Sequence, residues 1–127
     1  WLAQLKRLAA ALGLADHVDF RGHVDNPLPL MRQAAAVCSV SEAEPFGRTV
    51  VEAGVLGCPL VVVRDGGPEE IVQGLMNATV VAPTADAIAE GIAAVKGTSA
   101  EPPAEWLARY SAERHAEQIF EIMSEIS

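Results

Sequence analysis

Apolar and polar positions along the chain alternate between two periods. The opening stretch, WLAQLKRLAAALGLADH, spaces its apolar residues as a helix does, with Lys6 and Arg7 on the polar side, and reads as an amphipathic helix. Val18-Asp19-Phe20-Arg21-Gly22 alternates at period two and predicts a short strand. Asn26-Pro27 opens a helix to about Ala35, Pro27 being tolerated in the first turn because its missing N–H would be unpaired there. Ala36-Val37-Cys38-Ser39-Val40 predicts a second strand. A helix follows from about Gly47 to Leu56, stopped by Gly57, which takes the left-handed cap conformation cheaply. Leu60-Val61-Val62-Val63 is an unbroken apolar run, the pattern of a strand covered on both faces. Pro68-Glu69-Glu70-Ile71-Val72 begins a short helix, Thr79-Val80-Val81 predicts a fourth strand, and residues 86–96 are helical again.

Strand and helix in this alternation predict an α/β fold with right-handed crossovers. The expected architecture over residues 1–96 is a Rossmann-like parallel sheet of about four strands flanked by helices. Residues 97–103, GTSAEPP, have the composition of a linker. Residues 104–127 form a helical segment in two pieces, with Ser111 as N-cap of the second and Ile119, Phe120, Met123 and Ile126 in a stripe. That stripe needs an apolar partner, in this domain or in another.

Composition narrows the function classes. The chain has 127 residues, half of them apolar and a fifth charged, so a packed core is expected and global disorder is not. A formal net charge of −8 argues against nucleic acid or an anionic membrane as partner, because both reward clustered Lys and Arg. No apolar run approaches the ~20 residues that cross a bilayer, and the N-terminus lacks the order of a signal peptide. Opening on Trp1 points to a piece of a longer protein. Cys38 and Cys58 have no second pair or nearby histidine at metal-ligand spacing and are expected to be buried, reduced thiols of a cytoplasmic protein. His17, His23 and His115 are scattered, as surface or loop histidines are. There is no G-x-G-x-x-G after a strand and no Walker lysine motif. A receiver-type signalling domain lacks its acidic pair at an early strand end.

The chemistry concentrates in Ser41-Glu42-Ala43-Glu44-Pro45-Phe46-Gly47-Arg48-Thr49-Val50-Val51-Glu52-Ala53-Gly54. This stretch follows a predicted strand and opens a helix, which in an open parallel sheet is the end where ligands bind. Glu44 precedes a proline and is pushed toward extended backbone in the loop. The N–H groups around Phe46, Gly47, Arg48 and Thr49, with the helix dipole behind them, make an anion site. Glu52 lies further along the same helix. A plainer alternative stays open: Arg48 and Glu52, four apart, form an exposed surface ion pair, and Glu44 is a loop carboxylate. Gly66-Gly67-Pro68 can likewise be a mere helix start, with Asp65 as its cap.

Glu44-Pro45-Phe46-Gly47 with Glu52-Ala53 resembles the Glu–seven residues–Glu motif of glycosyltransferase family 4, the retaining enzymes of the GT-B fold. Val18-Asp19-Phe20-Arg21-Gly22-His23-Val24, Gly57-Cys58-Pro59-Leu60-Val61 and Gly66-Gly67-Pro68-Glu69-Glu70-Ile71-Val72 resemble three further motifs of that family, in order and register. The resemblance runs through residues 1–96 and more weakly from Tyr110. It implies the C-terminal, donor-binding domain of such an enzyme, N-terminally truncated, acting with an N-terminal GT-B domain.

Carried over position by position, the resemblance gives Glu44 the hydroxyls of the donor sugar, in a catalytic role, and Glu52 the ribose diol of a nucleotide-sugar donor. Phe46, Gly47, Arg48 and Thr49 would face sugar and diphosphate, and Gly66 and Gly67 would let the chain approach the donor closely. It also implies retaining transfer without a protein nucleophile, no cofactor and no bound metal. This chain departs from the family in having Val40 where a proline is usual, Arg48 at an often apolar position, and Asn77-Ala78 for Asn-Gly. The basic residues that neutralise the diphosphate in the family lie upstream of anything resembling Trp1, so the chain alone is expected to be inactive. A competing expectation from another class is a non-catalytic α/β interaction domain derived from such an enzyme.

Overall fold

The computed structural model describes residues 1–41 and 44–111. Three strands, β1 (Val37–Ser39), β2 (Leu60–Val63) and β3 (Ala78–Val81), form one parallel sheet in the order β1-β2-β3. Val37 is in register with Leu60, and Leu60 with Ala78. Helices precede, connect and follow the strands: α1 (Leu2–Ala11), α2 (Leu28–Gln33), α3 (Arg48–Val55), α4 (Gly67–Ile71), α5 (Ala85–Val95) and α6 (Ala104–Arg109). The fold is the α/β class expected, with three strands in place of four.

The missing strand is residues 18–22. Val18 is extended, but the segment joins no ladder and is mostly exposed, held locally by an Arg21–Asp19 ion pair of 2.6 Å. A strand is stabilised by its neighbour and not by alternation alone, and no described strand lies alongside this one. Upstream of it, α1 buries only Ala9 and leaves Leu8 and Leu12 exposed.

β2 is buried along its whole length, as its apolar run predicts. On one face Leu60 and Val62 join Met31, Val50, Ala53, Ile71 and Leu75 in the main core. On the other, α5 sits so close that a Cβ on Gly91 would lie 2.9 Å from Val81 Cγ1 and 3.1 Å from Val61 Cγ1. Thr84 caps α5, its Oγ1 accepting from the Ala87 N–H at 3.3 Å. β1, at one edge of the sheet, follows a different pattern. Cys58 is buried as expected and donates to the Met31 carbonyl, but Cys38 is exposed, because it lies in an edge strand on a face that no helix covers as α5 covers β2. Both cysteines are free thiols.

The amino end of the sheet is closed by polar groups that all find partners. Gly57 has φ +68, so α3 ends in a left-handed cap, with the Gly57 N–H donating to Gly54 O and the Cys58 N–H to Ala53 O. The buried Asn77 amide donates to the carbonyls of Gly57 (3.0 Å) and Cys58 (2.8 Å). The Ala100 N–H donates to Gly57 O, so residues 97–103 lie against this corner. Trp106 of α6 is 1% exposed, and its Nε1 donates to Ile71 O at 2.7 Å. Its ring lies over Gly54, where an added Cβ would come within 2.5 Å of it. The second helical piece expected after Ser111, with its stripe and His115, lies outside the described residues.

Candidate functional site

Parallel pairing puts the carboxyl ends of β1 and β2 side by side, so the described residues that follow them, 40–41 with 44–47 and 64–66, share one edge of the sheet. The first loop delivers the chain into α3 through Gly47, whose φ of +87 and ψ of +53 favour glycine. Gly47 has no side chain with which to cap the helix. Glu44 takes over part of that task, its Oε1 accepting from the Gly47 N–H at 3.2 Å in a half-buried setting. The N–H groups of Arg48 and Thr49 find no acceptor among the described residues. The α3 dipole thus ends on donors that are still open to an anion.

The second loop is interlocked with the first. The Gly67 N–H donates to the Glu44 carbonyl at 3.0 Å. A Cβ on Gly67 would sit 2.5 Å from Pro45 O, one on Gly66 3.2 Å from Glu44 O, and one on Gly47 2.8 Å from Pro68 Cγ. Both predicted glycines therefore lie against the Glu44 loop, and neither position has room for a side chain without movement.

Asp65 does not cap α4. The cap position is Gly66, without a side-chain bond, and the contact runs the other way: the Asp65 N–H donates to Glu69 Oε2 at 2.8 Å. Asp65 has φ +69, the one positive value at a non-glycine among the described residues.

Glu52 is part-exposed, and Arg48, strongly exposed, brings Nε to 3.7 Å from Glu52 Oε1. The surface pair foreseen from their spacing exists, long and open to water. Phe46 is half exposed, with Thr49 also on the surface. The structure thus gathers Glu44, Phe46, Gly47, Arg48, Thr49, Gly66 and Gly67 at one sheet edge, with Glu52 a turn further along α3. Sequence reasoning missed Arg64, which leaves the end of β2 exposed, its N–H donating to Val81 O. The signal was present in a lone cation between an apolar run and two glycines. It also missed the back-reaching Glu69.

The surroundings are acidic. Among the described residues of these loops and of α3 and α4 stand five carboxylates, Glu44, Glu52, Asp65, Glu69 and Glu70, against two cations, Arg48 and Arg64. His17 and His23 lie elsewhere and are exposed, His23 resting 3.3 Å from Asp25. Among the described residues no group of three or more His, Cys, Asp or Glu could hold a metal ion, and no helix is long and apolar enough to cross a membrane. A cavity of about 590 Å³, lined by Arg32, Leu56, Gly57, Ala100 and neighbours, lies at the opposite end of α3. The candidate site is instead an open ledge, with Phe46, Arg48 and Thr49 exposed along it.

The sequence pattern described as "Glycosyl transferases group 1" matches residues 1–114. Mannosylfructose-phosphate synthase of Agrobacterium fabrum is 46% identical over 68 residues, 52% of this chain and 15% of that protein. Probable sucrose-phosphate synthase 5 of Oryza sativa subsp. japonica is 36% identical over 88 residues, 60% of this chain and 9% of that protein. A GDP-mannose-dependent alpha-(1-6)-phosphatidylinositol monomannoside mannosyltransferase of Mycolicibacterium smegmatis is 32% identical over 102 residues, 72% of this chain and 27% of that protein. The chain thus spans 9% to 27% of the length of these relatives. No solved structure gives a significant match.

Proposed function

The chain belongs to the glycosyl transferases group 1 family, and from that membership we propose that it is the donor-binding part of a retaining glycosyltransferase. The parent enzyme, a family 4 member of GT-B architecture, transfers a hexose from a nucleotide-sugar donor to an acceptor held by an N-terminal domain. This chain is then a truncated C-terminal domain, in keeping with the small share of its relatives' length that it spans. In this reading residues 1–96 carry the donor, residues 97–103 link, and residues 104–127 form the closing segment of a cytoplasmic protein.

One observation carries the proposal. Glu44, held by the Gly47 N–H, stands beside the unpaired donors at the start of α3, with Glu52 on the same helix. Glu44 binds hydroxyls of the donor sugar and fixes it against the acceptor. Glu52, as an acceptor-only carboxylate, takes both hydroxyls of the ribose. The N–H groups of Arg48 and Thr49 and the helix dipole receive the diphosphate as it leaves. Phe46 packs on the sugar, and Gly66 and Gly67 keep the neighbouring wall low enough for the donor to approach. Catalysis is then chiefly positioning and charge stabilisation, with neither a protein nucleophile nor a metal. The acidic setting of the ledge means that further cations come from another part of the parent.

Titration of the chain with UDP and GDP by calorimetry tests this reading. Weak saturable binding of one nucleotide is expected, and Glu52→Ala should weaken it about tenfold, the scale of a lost hydrogen bond to a charged group. Binding indifferent to Glu52 moves the ribose elsewhere. The Arg48–Glu52 pair favours the second reading, a non-catalytic interaction domain, and the absence of any nucleotide binding would bring that reading forward.

A further inference from the structure

Glu69 lies in the first turn of α4, outside the ledge and away from both motif glutamates in sequence. Its carboxylate nonetheless ends on the loop that supports one of them. Glu69 Oε2 accepts from the Asp65 N–H at 2.8 Å, and Asp65 is held at φ +69, a region where a residue with a Cβ is strained. That left-handed corner turns the chain so that Gly66 and Gly67 run against the Glu44 backbone, with the Gly67 N–H on Glu44 O at 3.0 Å. The 65–68 loop thus touches the Glu44 backbone through Gly67, as the Gly47 N–H holds its carboxylate, and Glu69 is bonded to the corner of that loop.

We propose that Glu69 is a positioning residue for Glu44, acting through the left-handed corner at Asp65. The proposal rests on the donor-site reading above for its effect on transfer, but its structural half stands without it. Oε2 of Glu69 accepts from a backbone donor, and it is this contact that carries the role. What matters is its acceptor oxygen, which Gln retains and Ala does not. Asp65 is then an expensive corner that needs a partner, and a glycine at 65 would form the same corner without one.

The test is made on the protein that carries this chain, with amide exchange across residues 65–67 and transfer kinetics read on the same variants. Glu69→Ala should speed exchange at Asp65 and Gly67 by about three- to tenfold, the range of one exposed hydrogen bond, and lower kcat several-fold while KM for the donor moves less. Glu69→Gln should leave both near the wild-type values. Adding Asp65→Gly to Glu69→Ala should restore protection at Gly67 in part and kcat with it. Unchanged exchange in Glu69→Ala, equal losses in the Ala and Gln variants, or no rescue by Asp65→Gly would each overturn the proposal. Failure of the donor-site reading looks different: Glu44→Ala itself would then leave transfer intact, whatever the exchange shows.

Discussion

The two ends of α3 have been built to opposite standards. At its C-terminus the carbonyls of Gly54 and Ala53 are taken by the Gly57 and Cys58 N–H groups, the Asn77 amide fills the corner behind them, and the Trp106 ring packs against Gly54. At its N-terminus a glycine stands where a capping side chain could be, two N–H groups have no acceptor among the described residues, and Arg48 faces water. A fold made only to be stable would close both ends. The contrast runs along a single helix of eight residues, and in the proposed reading it divides what holds the domain together from what meets the donor.

That separation can be broken most severely at Trp106. Trp106→Ala removes the largest fully buried side chain, and denaturant unfolding should show a loss of about 3–5 kcal/mol; a loss below about 1 kcal/mol would mean the closed end does not carry the core. At the open end the expectation reverses. Glu44→Ala should cost no more than about 2 kcal/mol of stability, yet cut transfer by the parent enzyme about a hundredfold, the scale of one preorganised contact at a reacting group. Equal damage to both would erase the distinction.

Asn77→Ala leaves the buried Cys58 carbonyl without its donor and Gly57 O with the Ala100 N–H alone, and should cost about 1–3 kcal/mol of stability. Because Asn77 lies at the far end of the sheet from the ledge, nucleotide binding by the folded variant should be unchanged in calorimetry. The smallest effect belongs to Arg48→Ala. The pair with Glu52 is long and its guanidinium is 88% exposed, so thermal unfolding should shift by no more than a few tenths of a kcal/mol. A larger fall in nucleotide affinity than in stability would assign Arg48 to the phosphate.

How much of this was legible in the sequence depended on whether a neighbour was needed to decide it. Leu60–Val63 was readable because an unbroken apolar run has one interpretation, and Gly57 because a helix stop is local chemistry. Residues 18–22 carry the alternation of a strand, but pairing is a property of two segments and no described strand accepts them. Cys38 was expected inside because it sits in a strand, and that strand turned out to be an edge. The ledge was legible as a loop between a strand and a helix, and its motif glutamates with it. Its interlocking was not, since nothing in Gly66-Gly67 names Pro45 or Phe46 as what those glycines make room for. The same holds for Gly54, whose missing Cβ leaves space for a ring more than fifty positions away.

The meshing of residues 44–47 with residues 65–68 has a practical consequence for anyone who wishes to re-engineer this edge of the sheet, where the proposed reading puts the donor sugar. Exchanging one of these loops for that of a relative would set its backbone against a partner shaped for another sequence, with Gly67 and Gly47 leaving no tolerance in the fit. The two segments form a single cassette, and libraries that vary them separately will be dominated by members in which the mismatch, and not the sugar contact, decides the outcome.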